Sequence, residues 1–282
     1  MKFFFSETQL AHSPKQFMVG GRFVDPVENP SRATTLVASL ERAGLQRTDP
    51  KDYGREPILK VHVDHYVAFL EEAYARFVEL PNHGPEVLAH VHPYRGPSAF
   101  NAGPGKPRVS GIMGRAGWYM GDMGSPIMEG TFHAAYASAQ TAIAGAQEIL
   151  SGASAAFSLS RPPGHHAYAD RCSGFCYLNN VAIAAEVLRR GFQRVAILDF
   201  DTHHGDGTQA IFYARNDVFY GSVHTDPSDY FPFFSGYADQ TGAGAGEGAN
   251  LNLPLPFGAD DPAFIAANTK LSDAAKAHGA GR

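Results

Sequence analysis

The chain has 282 residues, 44% hydrophobic and 18% charged, which is ordinary for a soluble enzyme and enough for one large α/β domain. A formal net charge of -5 argues against general nucleic-acid binding, and no apolar stretch approaches the roughly 20 residues of a membrane span. Two cysteines give no disulfide framework and point to a reducing, cytoplasmic compartment, while the apolar start Phe3-Phe4-Phe5 is too short for a signal peptide.

In chain order, residues 1–5 read as a first strand. Ser31 is placed to cap a helix from Arg32 to Ala43 that Gly44 stops. Asp64 is placed to cap a second helix, whose aromatic and aliphatic residues recur at helical spacing through Val78. Residues 92–131 hold several glycines and prolines and the only tryptophan, Trp118, and read as one long functional loop. A long helix over 134–152 follows, its small residues permitting close packing. Then come a strand over 156–160, a loop with two histidines, a helix over 180–190 closed by Gly191, a strand over 194–200, a helix over 206–215 and a strand over 217–223. This alternation predicts a mostly parallel central sheet flanked by helices, in a single domain over residues 1–282. The run Thr241–Gly248 is glycine-rich, but a strand-like segment and no helix start follows it. It therefore reads as a mobile loop near the active-site rim and not as a phosphate loop.

Two stretches concentrate chemistry. The first is Arg161-Pro162-Pro163-Gly164-His165-His166. The second is Leu198-Asp199-Phe200-Asp201-Thr202-His203-His204-Gly205-Asp206-Gly207. The apolar run Val195–Leu198 before the second reads as a buried parallel strand. In an extended chain, positions i, i+2 and i+4 share a face, so Asp199, Asp201 and His203 are expected to line up at its carboxyl end, where open α/β sheets place ligands. A carboxylate and an imidazole projecting together suit zinc or a similar divalent metal. Cys172 and Cys176 have three residues between them, which is not the spacing of a zinc-binding pair.

In order along the chain, Gly-His-His after Pro-Pro, then Ser173–Asn180, then Asp199–Thr208, the pattern resembles the arginase/deacetylase superfamily. Within it, it resembles the histone deacetylase-like hydrolases and in particular the bacterial acetylpolyamine amidohydrolases. The resemblance runs from Phe5 to about His278. It implies the three-layer fold of that superfamily and an amidohydrolase acting on acetylated polyamines, related aminoalkyl amides or acetyl-lysine. It assigns one zinc to Asp201 and His203. It assigns a structural potassium to Asp199, Ser222 and Val223, with carbonyls of Asp201 and His203. His166 is implied as general base and acid, oriented by Asp206. His165, paired to Asp199, is implied to act electrostatically. Gly174, Phe175 and Phe231 are implied to form a narrow acyl channel, and Arg32 to lie beneath the metal near an acetate exit. Asp122 is a candidate acid at the channel mouth, with Glu7 and Glu28 behind it. The small-molecule acetylated amine is the expected partner, together with a second copy of the chain, docked through the N-terminal loop and the 92–131 loop. Nucleic acid and membrane are not expected.

The chain departs from that pattern in two places. A third aspartate ligand and a catalytic tyrosine are implied on later strands, which lie beyond residue 282. The expectations left open are a C-terminally shortened reading of an ordinary enzyme and a non-catalytic relative that binds acylated amines. A relative known for polyamines carries an acid where this chain has Phe17. Arginase-type two-metal chemistry fits the tandem histidines less well.

Overall fold

The computed structural model describes residues 1–93 and 105–280. Part of the long loop expected at 92–131 therefore lies outside the described residues. The chain divides into two compact units, Met1–Ile183 and Ala184–Arg282.

In the first unit, β1 (Lys2–Phe4) is the middle strand of a parallel sheet. It lies between β4 (Gln46–Thr48) and β5 (Ala156–Ser158). A separate antiparallel hairpin joins β2 (Phe17–Val19) to β3 (Arg22–Val24). Helix α1 (Pro30–Arg42) lays Ala33 and Val37 on Phe3, Phe5 and Leu159. Its cap is Asn29 and not Ser31. The Asn29 side chain accepts the Ser31 amide at 3.1 Å, and Pro30 supplies a first helical residue with no N–H to satisfy. The short α2 (Glu56–Leu59) precedes α3 (Asp64–Phe77), in which Asp64 is the first helical residue after a Val63 cap. The stretch expected to be loop contains α4 (Ile112–Tyr119), and Trp118 lies on it. The long helix α5 (Thr131–Leu150) begins three residues before its expected start. It presses so closely on β5 that a Cβ at Gly145 would stand 2.2 Å from Ser158 Oγ. The division between the units falls within α6 (Asn180–Leu188).

In the second unit, β6 (Val195–Asp199), β7 (Val218–Thr225) and β8 (Asn250–Leu255) form a parallel sheet in that order. All residues of β7 except Thr225 are buried, as befits a central strand covered on both faces. Helix α7 (Asp206–Phe212) follows β6. Helix α8 (Asp261–His278) is capped by Asp260 and closed by Gly279. It packs Leu271 and Ala275 on Phe219 and Val223 of β7. The register sets Asp199, the last residue of β6, beside Ser222, so β7 runs three residues further, to Thr225. The glycine-rich run is packed against the end of α7: the Ala243 amide donates to the Tyr213 carbonyl at 2.9 Å, and a Cβ at Gly246 would meet that same oxygen at 2.5 Å. Among the described residues no helix is long and apolar enough to cross a membrane.

Candidate active site

Within the first unit, Gly164-His165-His166-Ala167 forms a turn closed by the Ala167 amide on the Gly164 carbonyl at 3.0 Å. It sets the two imidazoles side by side, centroids 4.0 Å apart and planes inclined by 46°. His166 is buried and His165 half-buried. Arg161, four residues before His165, is buried with Glu28. Its Nε donates to Glu28 Oε1 at 2.7 Å and its Nη1 to the Gln9 carbonyl at 2.9 Å. Glu28 is thus committed to an ion pair and does not serve as a mouth acid. Glu7 is exposed and pairs with Arg47 at 3.2 Å. Arg32 faces solvent from α1, and the arginine buried near the histidine turn is Arg161, which opens the Arg161–His166 motif. His12 lies edge-on to Tyr177 at 5.1 Å and meets Thr131 Oγ1 at 3.1 Å. Burial, then the Arg161 charge, push its pKa down to about 3.

Next to His166 stands a second turn. Ser173 and Cys176 exchange both backbone hydrogen bonds, at 3.2 and 2.8 Å, so Gly174 and Phe175 form a two-residue hairpin tip. Both have positive φ, 52° and 67°, the pattern of a type I′ turn. Glycine takes this conformation freely. Phenylalanine pays about 1–2 kcal/mol for it, so the ring is held where it is by its surroundings. Those surroundings are Asp122 and Ser125. Asp122 Oδ2 accepts the Gly174 amide and the Ser173 hydroxyl, both at 2.8 Å, and its Oδ1 accepts the Gly124 amide at 2.9 Å. Ser125 Oγ accepts the Phe175 amide at 3.1 Å. Phe17 of β2 packs on the Phe175 ring, centroids 4.8 Å apart. The structure thus brings Asp122, Gly174, Phe175 and His166 together, while Arg32 is exposed on α1. The carboxylate of Asp122 faces backbone donors, a role that its position in a Gly/Pro-rich stretch did not reveal.

Within the second unit, the strand ends at Asp199 and the chain turns. Asp199 Oδ1 accepts the Asp201 amide at 3.2 Å, and Asp201 Oδ1 accepts the His203 amide at 2.8 Å. Two successive turns of this kind replace the expected extended i, i+2, i+4 alignment, because each aspartate bonds the backbone two residues on. They still gather the side chains: His203 Nδ1 lies 3.1 Å from Asp201 Oδ1. The pair remains open to solvent, with side-chain exposures of 35% and 50%. The His203 ring stacks on Tyr230 at 4.8 Å and meets Phe231 edge-on at 6.0 Å. Tyr230 was not singled out from the sequence, since only the fold brings residue 230 to residue 203. Asp199 Oδ2 accepts the buried Tyr220 hydroxyl at 3.2 Å, and that hydroxyl accepts the Gly205 amide at 3.1 Å. Ser222 and Val223 are fully buried on β7, with Ser222 Oγ 2.7 Å from His224 Nδ1. Asp206 is buried at the start of α7, its amide on the His204 carbonyl at 3.0 Å.

The Asp201–His203 pair fits a divalent metal. Their oxygen and nitrogen are ligand types zinc takes, and their 3.1 Å separation, that of an ordinary hydrogen bond, is compatible with the roughly 3.3 Å between two ligand atoms of a tetrahedral zinc site. Among the described residues no group of three or more such side chains is gathered for an ion.

Comparison with known proteins follows the same lines. A histone deacetylase domain matches residues 26–278. The acetylpolyamine amidohydrolase of Burkholderia pseudomallei is 43% identical over 263 residues, which is 93% of this chain and 74% of that protein. The acetylpolyamine amidohydrolase of Mycoplana ramosa is 43% identical over 245 residues, 86% of this chain and 69% of that protein. A crystal structure of acetylpolyamine aminohydrolase from Burkholderia pseudomallei, from an iodide soak, matches with a TM-score of 0.93 at 41% identity. It covers 99% of this chain and 79% of that one.

Proposed function

This chain belongs to the histone deacetylase family and has its arginase/deacetylase fold, and on that premise we propose that it is a zinc-dependent amidohydrolase of acetylated polyamines or related acetylated aminoalkyl amides, acetyl-lysine among them. The observation that carries the reading is the 3.1 Å approach of His203 Nδ1 to Asp201 Oδ1, in a chain 43% identical to acetylpolyamine amidohydrolases. The family match spans both compact units, which supports treating residues 1–282 as one deacetylase domain.

Zinc held by Asp201 and His203 would supply a Lewis acid that polarises an amide carbonyl and acidifies water. His166 takes the proton from the attacking water and delivers it to the leaving nitrogen, so that water and amide become acetate and free amine. Its burial suits the task, because a desolvated imidazole exchanges protons only with what reaches it. His165, 4.0 Å away ring to ring, contributes electrostatically. The family resemblance assigns Asp206 and Asp199 as the carboxylates orienting His166 and His165, respectively. The same resemblance assigns Gly174, Phe175 and Phe231 to the path of the acyl amine, and Asp122 serves that path by holding the Gly174–Phe175 turn. Asp199, the last residue of β6, and its register partner Ser222 with Val223 of β7 would supply the oxygens for a structural potassium. Arg32 has no part in this reading.

A homodimer through the N-terminal loop and the 92–131 loop belongs to the same reading. It is supported by Val19, Phe23 and Val24, apolar residues exposed on the β2–β3 hairpin. A cytoplasmic setting is supported by two buried cysteines, neither in a disulfide.

The test is zinc content and turnover of the purified chain. Asp201→Ala should abolish specific zinc. His166→Ala should abolish acetate release and leave zinc unchanged. Loss of zinc in the His166 variant would sink its assigned role, and binding of an acetylated amine without acetate release by the unmodified chain would replace hydrolysis with binding.

A further inference from the structure

Behind the metal-ligand pair of the second unit lies a buried polar network centred on Gln209 of α7. Its side-chain oxygen receives three donors: His204 Nε2 at 3.1 Å, Asn250 Nδ2 at 2.9 Å and Asn252 Nδ2 at 2.8 Å. Its nitrogen donates to Ser235 Oγ and to Gln240 Oε1, both at 3.0 Å. Gln240 Oε1 is fixed as an acceptor, because it also takes the Gly236 amide at 2.7 Å and the Tyr237 amide at 3.2 Å. The donor side of Gln209 therefore braces the loop at 235–237. The other end of that loop carries Tyr230 and Phe231, whose rings lie against His203. The acceptor side holds His204, the residue next to His203. Gly236 is seated so tightly that a Cβ there would stand 2.7 Å from His204 Cγ. One amide thus ties the chain on which His203 sits to the loop that covers its ring.

We propose that Gln209 is a positioning residue for the metal-binding pair, holding His203 from its backbone side through His204 and from its ring side through the 230–240 loop. The inference rests on the metal reading of Asp201 and His203 given above. A ligand ring that keeps a single orientation binds a metal more tightly than one that samples several, and partners of this kind typically tune affinity 10–100-fold.

The sharpest variant is Gln209→Glu. It keeps size and the acceptor side for His204, Asn250 and Asn252. It places an oxygen opposite Gln240 Oε1 where an N–H stood, so the loop loses its bond to Gln240, while the Ser235 hydroxyl can turn to donate and the sheet keeps its contacts. Ser235→Ala removes one of the two loop contacts alone and guards against a Gln209 variant that fails to fold. Zinc affinity would be measured by competition with a chromophoric chelator, and amide exchange at residues 233–240 by mass spectrometry. We expect Gln209→Glu to weaken zinc roughly tenfold or more and to speed exchange across 233–240. Ser235→Ala should act in the same direction and more weakly. Unchanged zinc affinity in folded Gln209→Glu, or in Ser235→Ala if the first variant does not fold, overturns the inference even if exchange is faster. Absence of zinc from the unmodified chain overturns the metal reading and this inference together; equal affinity in variant and unmodified chain overturns this one only.

Discussion

The Cβ that Gly174 lacks would stand 2.4 Å from Cδ2 of His166, so the backbone of the hairpin tip is the surface on which the buried imidazole rests. Gly174→Ala meets two obstacles. Its φ of 52° disfavours any L side chain, and the added methyl has no room unless the ring moves. The variant is expected to lose about 1–3 kcal/mol of stability and, on the role proposed for His166, to lower kcat/KM at least tenfold, since a base displaced from its proton loses much of its effect. Thermal melting with steady-state kinetics checks this. A variant as active as the unmodified chain would mean that the ring tolerates displacement or does not transfer the proton.

Asp122→Asn separates two meanings of one carboxylate. As a clamp, Asp122 receives Gly174, Ser173 and Gly124. Asparagine can keep the first two bonds, but its amide nitrogen turns a donor toward the Gly124 N–H. The expected cost is about 1–2 kcal/mol of stability, with kcat/KM falling by a similar factor for cationic and uncharged acetylated amines. If the carboxylate instead attracts cationic substrate at a channel mouth, only the cationic substrate will suffer. Parallel assays of an N-acetyl diamine and an N-acetyl alkylamine decide between the two.

Acid should destabilise the first unit through His12. Its pKa is pushed from 6.5 down to about 3, so the unfolded chain binds a proton that the folded chain refuses. Stability from this group is complete above 6.5 and is lost as pH falls toward about 3. Between pH 6.5 and about pH 5 the loss is of order 2 kcal/mol. His62, buried and lowered to about 4, adds in the same direction. His12→Asn can keep a bond to Thr131 and cannot titrate, so its urea midpoint should change less over that range. Equal pH dependence in the two proteins would show that His12 does not govern it.

The alternation of strands and helices was legible because each apolar run is bounded by its own glycine, proline or capping residue. Parallel pairing follows from it, although one central sheet is expected and the described strands pair as two three-stranded parallel sheets. The cap at Asn29 was misread because Ser31 has good capping chemistry, whereas Pro30 marks the earlier start. Helix α4 was hidden by the glycines and prolines around it, although Trp118 marks packing there. At the candidate site, the motifs mark Asp201 and His203 as candidates but not how they meet. Periodicity assumes an extended chain, and Asp199 and Asp201 each turn it by bonding a nearby N–H. Tyr230 against His203, Phe17 against Phe175 and Arg161 against Glu28 are separated by many residues, and local pattern carries no distance between them.

Phe175 sits at a φ of 67° that asparagine or glycine would adopt with less strain. Selection on fold and selection on catalysis should therefore pull this codon in different directions. In a saturation library sorted for abundance alone, small turn-forming residues should become enriched at 175, whereas sorting the same library for amide hydrolysis should restore the aromatic. One position would then record how much backbone strain this chain tolerates in exchange for a ring in the right place.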